Sequence, residues 1–376
     1  MVEYLDFAST TPVDPKVADL VMKLMVESFG NASSRTHSYG TEAKKIVSNA
    51  REQIASTLNC EARHVFFTSG ATESNNLTIF GLANSEIGKS KKHIVSTTIE
   101  HEAVLEPLEE LSKQGFEVEL VSPSSSGVIE ASDVISKIRP DTLLVSVMHV
   151  NNELGTVQPI AEIADGLQGT DAFFHVDAAQ GYGKSLSGLT HERIDLISIS
   201  GHKIFAPKGV GILIKKTRDY SSIKLKPLMF GGGQENGVRP GTLAVPLIGG
   251  IGLAAELAYK NKEVRNKHNK ELFEKFCFLL ESNSFKIIGD KDRHCNNILL
   301  ASNASLDGEA AILALKDSIA ISNGAACTSA KERESHVLSA IQLEEKYKSG
   351  VIRLSWCHLT KDIEWKEIEQ SIANFL

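Results

Sequence analysis

A lysine embedded in an apolar run is a candidate amine nucleophile. Lys203 stands in Ile199-Ser200-Gly201-His202-Lys203-Ile204-Phe205, where partial desolvation lowers an ammonium pKa and frees the amine for Schiff-base chemistry. Ser200 and His202 beside it are donors suited to a phosphate. Asp177 closes the run Phe173-Phe174-His175-Val176-Asp177. A carboxylate ending a buried strand needs a cation or several donors. A protonated pyridine nitrogen is one such partner; an N-cap for the next helix reads the segment equally well. Thr68-Ser69-Gly70-Ala71-Thr72-Glu73-Ser74-Asn75-Asn76 places small residues at a strand-to-helix junction. First-turn amides, the helix dipole and the Thr72 hydroxyl there suit an anion. The segment lacks the G-K-[ST] of a Walker loop and the GxGxxG of a dinucleotide turn, and a well-capped helix start looks similar. His101 follows the run Val95-Ser96-Thr97 at the start of a helical pattern. A lone histidine is more often structural, but this one falls on the same edge as the other three groups.

These groups share an edge because of the elements that carry them. Short β-rich runs at His64–Thr68, His93–Ser96, Glu117–Val121, Leu143–Val147, Phe173–Val176, Asp195–Ser198 and Gly211–Ile214 alternate with helical patterns such as Glu102–Gln114 and Ala131–Lys137. Nearly continuous apolar runs are expected of strands covered on both faces. The alternation predicts an α/β fold with a mainly parallel sheet, and ligands belong at the carboxyl ends of its strands. A long helical pattern from Pro246 to Ser282 predicts a linking helix to a smaller C-terminal α+β region. That region has strand candidates at Asn297–Ala301, Ile319–Ser322 and Gly350–Ser355, and helices around Gly308–Lys316 and Ile363–Phe375. A ligand carrying a phosphate, a pyridinium and an aldehyde would satisfy the anion cup, the carboxylate and the lysine together. Pyridoxal 5'-phosphate is such a ligand.

A chain of 376 residues has room for one large domain and a smaller one. The formal net charge of -7 offers no global attraction for nucleic acid or an anionic membrane. No apolar run approaches the roughly 20 residues that span a bilayer, and the acidic start lacks the order of a signal peptide. The expectation is a cytoplasmic protein with no direct nucleic-acid or membrane partner. Five scattered cysteines form no C-x-x-C pair, which argues against a disulfide framework and a cysteine-based metal site. Cys60, Cys277 and Cys295 read as packed hydrophobes.

Beyond these groups the chain resembles the class V aminotransferase family, and within it the NifS/IscS-like cysteine desulfurases. The matching segments run nearly from end to end. They include Tyr4-Leu5-Asp6-Phe7-Ala8-Ser9-Thr10-Thr11-Pro12, Phe29-Gly30-Asn31, Thr68-Ser69-Gly70-Ala71-Thr72-Glu73-Ser74 and Asn151-Asn152-Glu153. They continue through Asp177-Ala178-Ala179-Gln180, Ser200-Gly201-His202-Lys203, Gly231-Gly232-Gly233-Gln234-Glu235, Arg239-Pro240-Gly241-Thr242 and Ser322-Asn323-Gly324-Ala325-Ala326-Cys327-Thr328-Ser329. The resemblance implies the fold type I architecture of pyridoxal-phosphate transferases. It implies a seven-stranded large domain at 14–250, and a small domain formed by 1–13 and 251–376 that carries the cysteine loop.

The same resemblance implies the roles. Lys203 holds the cofactor covalently, Asp177 pairs with its ring nitrogen, and His101 stacks on the ring and moves protons. Ala71, Thr72, Ser200 and His202 hold the phosphate, and Thr242 reaches the phosphate of a neighbouring subunit, which implies a homodimer. Gln180 and Asn152 bond near the ring hydroxyl and the substrate, while Asn31 and Arg353 grip the substrate carboxylate. Cys327 attacks the sulfur of L-cysteine, leaving a persulfide on the enzyme and L-alanine as product, and the sulfur passes to an acceptor protein. Ser322–Ser329 reads as a mobile loop suited to such delivery.

Three features depart from the family pattern. Ala32 stands where proline is common, and Cys357 where glycine is common; Cys357 is expected to be a packed thiol. Only 16 residues follow Thr360, whereas the housekeeping members carry a longer scaffold-docking tail. That leaves iron–sulfur assembly, tRNA thiolation and DNA phosphorothioation open as routes for the sulfur. Selenocysteine lyase, another class V enzyme and a catalytically silent docking platform are the rival readings. Retention of both Lys203 and Cys327 argues against the platform.

Overall fold

Apolar, β-branched runs make the strands of the main sheet. They are β1 (Val65–Thr68), β2 (His93–Thr97), β3 (Glu117–Val121), β4 (Thr142–Met148), β5 (Phe173–Asp177), β6 (Leu196–Ser200) and β7 (Gly211–Lys215). The computed structural model describes residues 2–218, 221–324, 335–361, 363, 365, 366, 368 and 369. In it these strands form a seven-stranded sheet in the order β1-β7-β6-β5-β4-β2-β3. β2 through β6 pair in parallel, and β7 is antiparallel to both β1 and β6. The predicted mainly parallel α/β sheet is therefore present, each strand within a residue or two of its expected bounds. The one strand with an exposed pattern is β3, an edge strand carrying Glu117 and Glu119, charges of the kind that keep an edge from pairing with another chain.

Alternation sends neighbouring side chains to opposite faces. Phe67, Val147, Val176, Ile199 and Ile212 pack with α1 (Pro15–Val26), α2 (Ser38–Thr57) and α5 (Val245–Lys260). Phe66, Leu144, Phe173, Leu196 and Leu213 pack with α3 (Ala71–Ala83) and α4 (Glu102–Lys113). Both faces are covered, so the strand ends are where a ligand can enter.

The expected single helix over Pro246–Ser282 is two. α5 stops at Lys260 and α6 (Lys262–Ser282) begins beyond Asn261. The Asn261 amide Nδ2 donates to the Leu257 carbonyl oxygen at 2.8 Å, and asparagine competing for backbone acceptors in this way favours a helix boundary. A second core gathers Leu272, Phe276 and Leu280 of α6 against the antiparallel strands β8 (Lys286–Ile288), β9 (Ile298–Ser302) and β10 (Val351–Ser355). Leu5 belongs to this core, and Glu3–Tyr4 pairs in parallel with Ile319–Ala320. The predicted C-terminal helix over Ile363–Phe375 falls mostly outside the described residues. Among those described, no helix is long and apolar enough to cross a membrane.

Candidate active site

Ten of the predicted residues line one cavity of about 570 Å³ at the carboxyl ends of the strands. Lys203 reaches it by a single turn, Gly201–Lys203, that follows β6. Its Nζ donates to the carbonyl oxygens of Ala8 and of Ser9, the latter at 2.8 Å. The chain then passes through Phe205 with φ 67°, a region that bulky residues rarely occupy. The Thr11 hydroxyl accepts the Phe205 N–H there at 3.0 Å. The N-terminal segment thus fixes the lysine and its turn together.

Asp177, the last residue of β5, is buried at 5% exposure. Its Oδ2 accepts from Asn75 Nδ2 at 2.7 Å and its Oδ1 from the Ala179 N–H at 2.9 Å. Two neutral donors orient this anion. On the same face of β5, His175 is clamped between the Ser146 and Ser198 hydroxyls at 2.8 and 2.9 Å. Burial holds its pKa down at about 4, so it packs as a neutral ring.

The anion cup is the start of α3. Its N-cap is Gly70, which brings no side chain to compete for the first amides, so those N–H groups are left for an outside acceptor. Gly211 allows the cup to sit where it does: a Cβ at that position would lie 2.5 Å from the Gly70 Cα. Thr72 and Ser200 line the same cavity. His202 joins them, its Nδ1 3.1 Å from the Thr10 hydroxyl. Burial, with Lys203 and Lys208 adding repulsion, pushes the His202 pKa down to about 4. The acid in the first turn, Glu73, is tied back by Arg239 Nε at 2.8 Å and by the Ser69 N–H at 2.8 Å. Desolvation opposes its ionisation, yet those hydrogen bonds outweigh it and keep the carboxyl below its usual range.

His101 caps α4, its Nδ1 accepting the Ala103 N–H at 3.0 Å. In the neutral ring that places the proton on Nε2. Beside it lies a group that sequence reasoning overlooked. Glu100 is fully buried, and its Oε1 accepts from the Thr97 hydroxyl at 2.7 Å and the Met148 N–H at 2.8 Å. Desolvation raises its pKa to about 8, with the Asp177 charge adding to the effect.

Arg353 projects from β10 and is 2% exposed. Its two terminal nitrogens donate to Asp6 Oδ1 and the Ser9 hydroxyl at 2.9 Å each, to the Asn152 carbonyl at 2.9 Å, and to the Gly324 carbonyl at 3.3 Å. Gln180 Nε2 donates to the Ala8 carbonyl at 2.8 Å. Asn31 and Thr242 are not in this cavity. Both are exposed, and Asn31 Oδ1 accepts the Ser33 N–H at 2.9 Å in a local turn. Cys327 lies outside the described residues. The residues flanking 325–334 both meet Glu153: the Ser335 hydroxyl donates to its Oε2 at 2.7 Å, and a Cβ on Gly324 would sit 3.4 Å from that oxygen. Burial raises the Glu153 pKa. The Cys357 thiol is packed, as expected. It is 6% exposed, and burial pushes its pKa up to about 11.

Sequence reasoning also passed over Asn75 and the Glu73–Arg239 pair. Asn75 had a readable signal, since it falls one helical turn beyond Ala71 and so on the same face of α3. Nothing in sequence pairs residues as distant as Glu73 and Arg239.

The residues present fit pyridoxal phosphate: a glycine-capped helix start for its phosphate, a buried and oriented carboxylate for its ring nitrogen, and a lysine in the same cavity. Comparison with known proteins agrees. The sequence profile described as Aminotransferase class-V matches residues 3–366. The cysteine desulfurase IscS of Rickettsia prowazekii is 42% identical over 96% of this chain and 88% of its own. The structure of DndA from Streptomyces lividans superposes with a TM-score of 0.82 at 47% identity, covering 94% of this chain and 99% of that one. SspA, solved in complex with cysteine, superposes with a TM-score of 0.82 at 36% identity over 94% of this chain and 98% of its own. The sheet order is accordingly that of the fold type I pyridoxal-phosphate enzymes. A profile match over nearly the whole length and this degree of identity leave one assignment: the chain belongs to the class V aminotransferase family, and pyridoxal phosphate is its cofactor.

Proposed function

We propose that this protein is a cysteine desulfurase that moves the sulfur of L-cysteine onto Cys327 as a persulfide, releases L-alanine, and passes the sulfur to an acceptor protein. The observation that carries the reading is the convergence of Lys203, Asp177, His101 and Arg353 on one cavity beside the glycine-capped helix start. The names of the relatives point the same way.

Pyridoxal phosphate, when bound, supplies the electron sink that acidifies the substrate Cα–H and weakens its Cβ–S bond. The protein supplies the rest. The α3 amides, Thr72, Ser200 and His202 would hold the phosphate, and Asp177, steadied by Asn75, would pair with the ring nitrogen. Gln180 and Asn152, which line the same cavity, would border the ring hydroxyl and the substrate, and Arg353 would take the substrate carboxylate, for which a guanidinium fork has matching geometry. Lys203 and His101 are the groups we assign to proton movement at Cα, since both line the cavity. The Cys327 thiolate attacks the substrate sulfur: an S–S bond forms, the Cβ–S bond breaks, and a proton completes the methyl group of alanine. Support for the thiol's access comes from Gly324, whose carbonyl is held by Arg353 at 3.3 Å. A tether of three residues reaches at most about 11 Å, enough to bring the thiol to the cavity that Arg353 lines.

The working unit is a homodimer in the cytoplasm, with Thr242 serving the neighbouring site. Exposure of Thr242 outside its own cavity supports this, as do Leu228, Met229 and Phe230 on the preceding loop, the last 88% exposed. Iron–sulfur assembly, tRNA thiolation and DNA phosphorothioation are the destinations to separate. Cys327→Ser tests the core of the reading. That variant is expected to bind pyridoxal phosphate and L-cysteine with unaltered spectra yet release no sulfide, and normal sulfide release would assign the chemistry to another thiol. Co-purification with the same variant identifies the acceptor.

A further inference from the structure

Behind the cavity stands a lysine to which the reaction assigns no part. Lys184 Nζ donates to Gln180 Oε1 at 2.9 Å. No carboxylate among the described residues lies within ion-pair distance of it. Its electrostatic neighbours are Cys295, Cys357 and Arg353, and desolvation pulls its pKa down to about 8. Part of its surface stays open to a separate cleft lined by Tyr182, Tyr259 and Asn266.

An ammonium can only donate, whereas a primary amide can present either an oxygen or an NH2. Lys184 therefore dictates which way the Gln180 amide is turned: Oε1 faces the lysine, and Nε2 faces the opposite way. One Nε2 hydrogen goes to the Ala8 carbonyl at 2.8 Å, the same oxygen that accepts from Lys203 Nζ. The second has no acceptor among the described residues, and Gln180 lines the cavity. With the amide flipped, an oxygen would meet the Ala8 carbonyl and repel it, and the cavity would lose a donor.

We propose that Lys184 is a positioning residue for the cofactor site, locking the Gln180 amide so that Nε2 donates to the ring oxygen of pyridoxal phosphate beside Lys203. The proposal rests on that cofactor occupying this cavity. Lys184 acts through Gln180 and touches neither substrate nor cofactor. A half-buried cation linked by one amide to an acidic ring oxygen also offsets the charge on that oxygen.

The test is a double-mutant cycle on the holoenzyme, read by the dissociation constant for pyridoxal phosphate and by the absorption maximum of the bound cofactor. Lys184→Met is expected to weaken cofactor binding about tenfold and shift the maximum, as for loss of one hydrogen bond to a charged group. Lys184→Met combined with Gln180→Ala is expected to match Gln180→Ala alone within about twofold, because one effect passes through the other. Additive losses would overturn the proposal, as would a Lys184→Met protein indistinguishable from the parent. If the methionine variant does not fold, Lys184→Gln enters the same cycle under the same criterion, since a neutral amide no longer dictates the orientation of its partner. A parent protein with no borohydride-reducible cofactor band would remove the underlying reading. A normal parent band with an unchanged Lys184 variant would remove this proposal alone.

Discussion

The two ends of the parallel strands treat charge in opposite ways. At the amino ends, charges cancel in pairs near solvent. Arg139 makes two 2.8 Å bonds to Glu117 and two, of 3.1 and 3.2 Å, to Asp141, and Lys137 meets Glu119 at 2.8 Å. The carboxyl ends also carry ion pairs, Glu73 with Arg239 and Asp6 with Arg353, but there the buried carboxyl groups of Asp177 and Glu100 are held by amides and hydroxyls that carry no net charge. Pairs that neutralise one another ask nothing further of a ligand. Oriented groups left with neutral partners beside a cavity are prepared for charge that arrives later. The carboxyl ends of the strands are therefore the ones equipped for chemistry.

The sharpest way to break this contrast is to remove the amine. Lys203→Ala is expected to abolish the borohydride-reducible band and lower turnover by roughly a thousandfold or more, the scale on which a covalent or proton-transferring group acts. Absorption spectroscopy and alanine formation check it, and retained multiple turnover would contradict its role. Next in size is Asn75→Ala, which strips Asp177 Oδ2 of its donor. A buried acceptor left unpaired costs about 1–3 kcal/mol. The Asn75 Oδ1 is itself unpaired among the described residues, so its removal offsets part of that and favours the lower end. Urea unfolding of the apoprotein reads the stability, and equilibrium dialysis reads an expected loss of cofactor affinity of about tenfold.

Much of this contrast was legible beforehand. Apart from the edge strand Glu117–Val121, the runs sorted themselves into strands because burial on both faces demands near-continuous hydrophobic sequence, and each strand-end motif then fell on one edge. What sequence hid was contact across long separations. The hold of Ala8 and Ser9 on Lys203 and the meeting of Arg353 with Asp6 join residues nearly two hundred or more positions apart. Glu100 was passed over for another reason. It stands just before the His101 cap of α4, where nothing in sequence marks it, and only packing shows that its carboxyl faces inward.

Glu100 gives the third prediction, through pH. Its folded pKa, about 8, lies above the ordinary value of a glutamate in an unfolded chain. Between those two values the native state keeps a proton that the unfolded state has released, so the contribution is favourable at low pH and is lost as pH rises through 8. Glu100→Gln keeps an acceptor for Thr97 and Met148 but cannot ionise. Subtracting its stability curve from the parent's is expected to show a difference that grows in favour of the variant from pH 5 to 8, by at most about 1.4 kcal/mol per pH unit. A flat difference would mean that the carboxyl is ionised throughout.

Arg139→Ala should have the smallest effect, and it probes the other end of the strands. Its partners Glu117 and Asp141 are solvent-exposed. Such pairs contribute little because water and salt already screen them. Turnover and cofactor affinity are expected to stay at parental levels, and the melting midpoint to move less than that of Asn75→Ala. Any shift at low ionic strength should shrink when salt is raised, since a screened interaction has less to lose. A change in cofactor affinity would show that the amino ends communicate with the cavity through the strands themselves, and the separation between a self-neutralised end and a ligand-ready end would no longer hold.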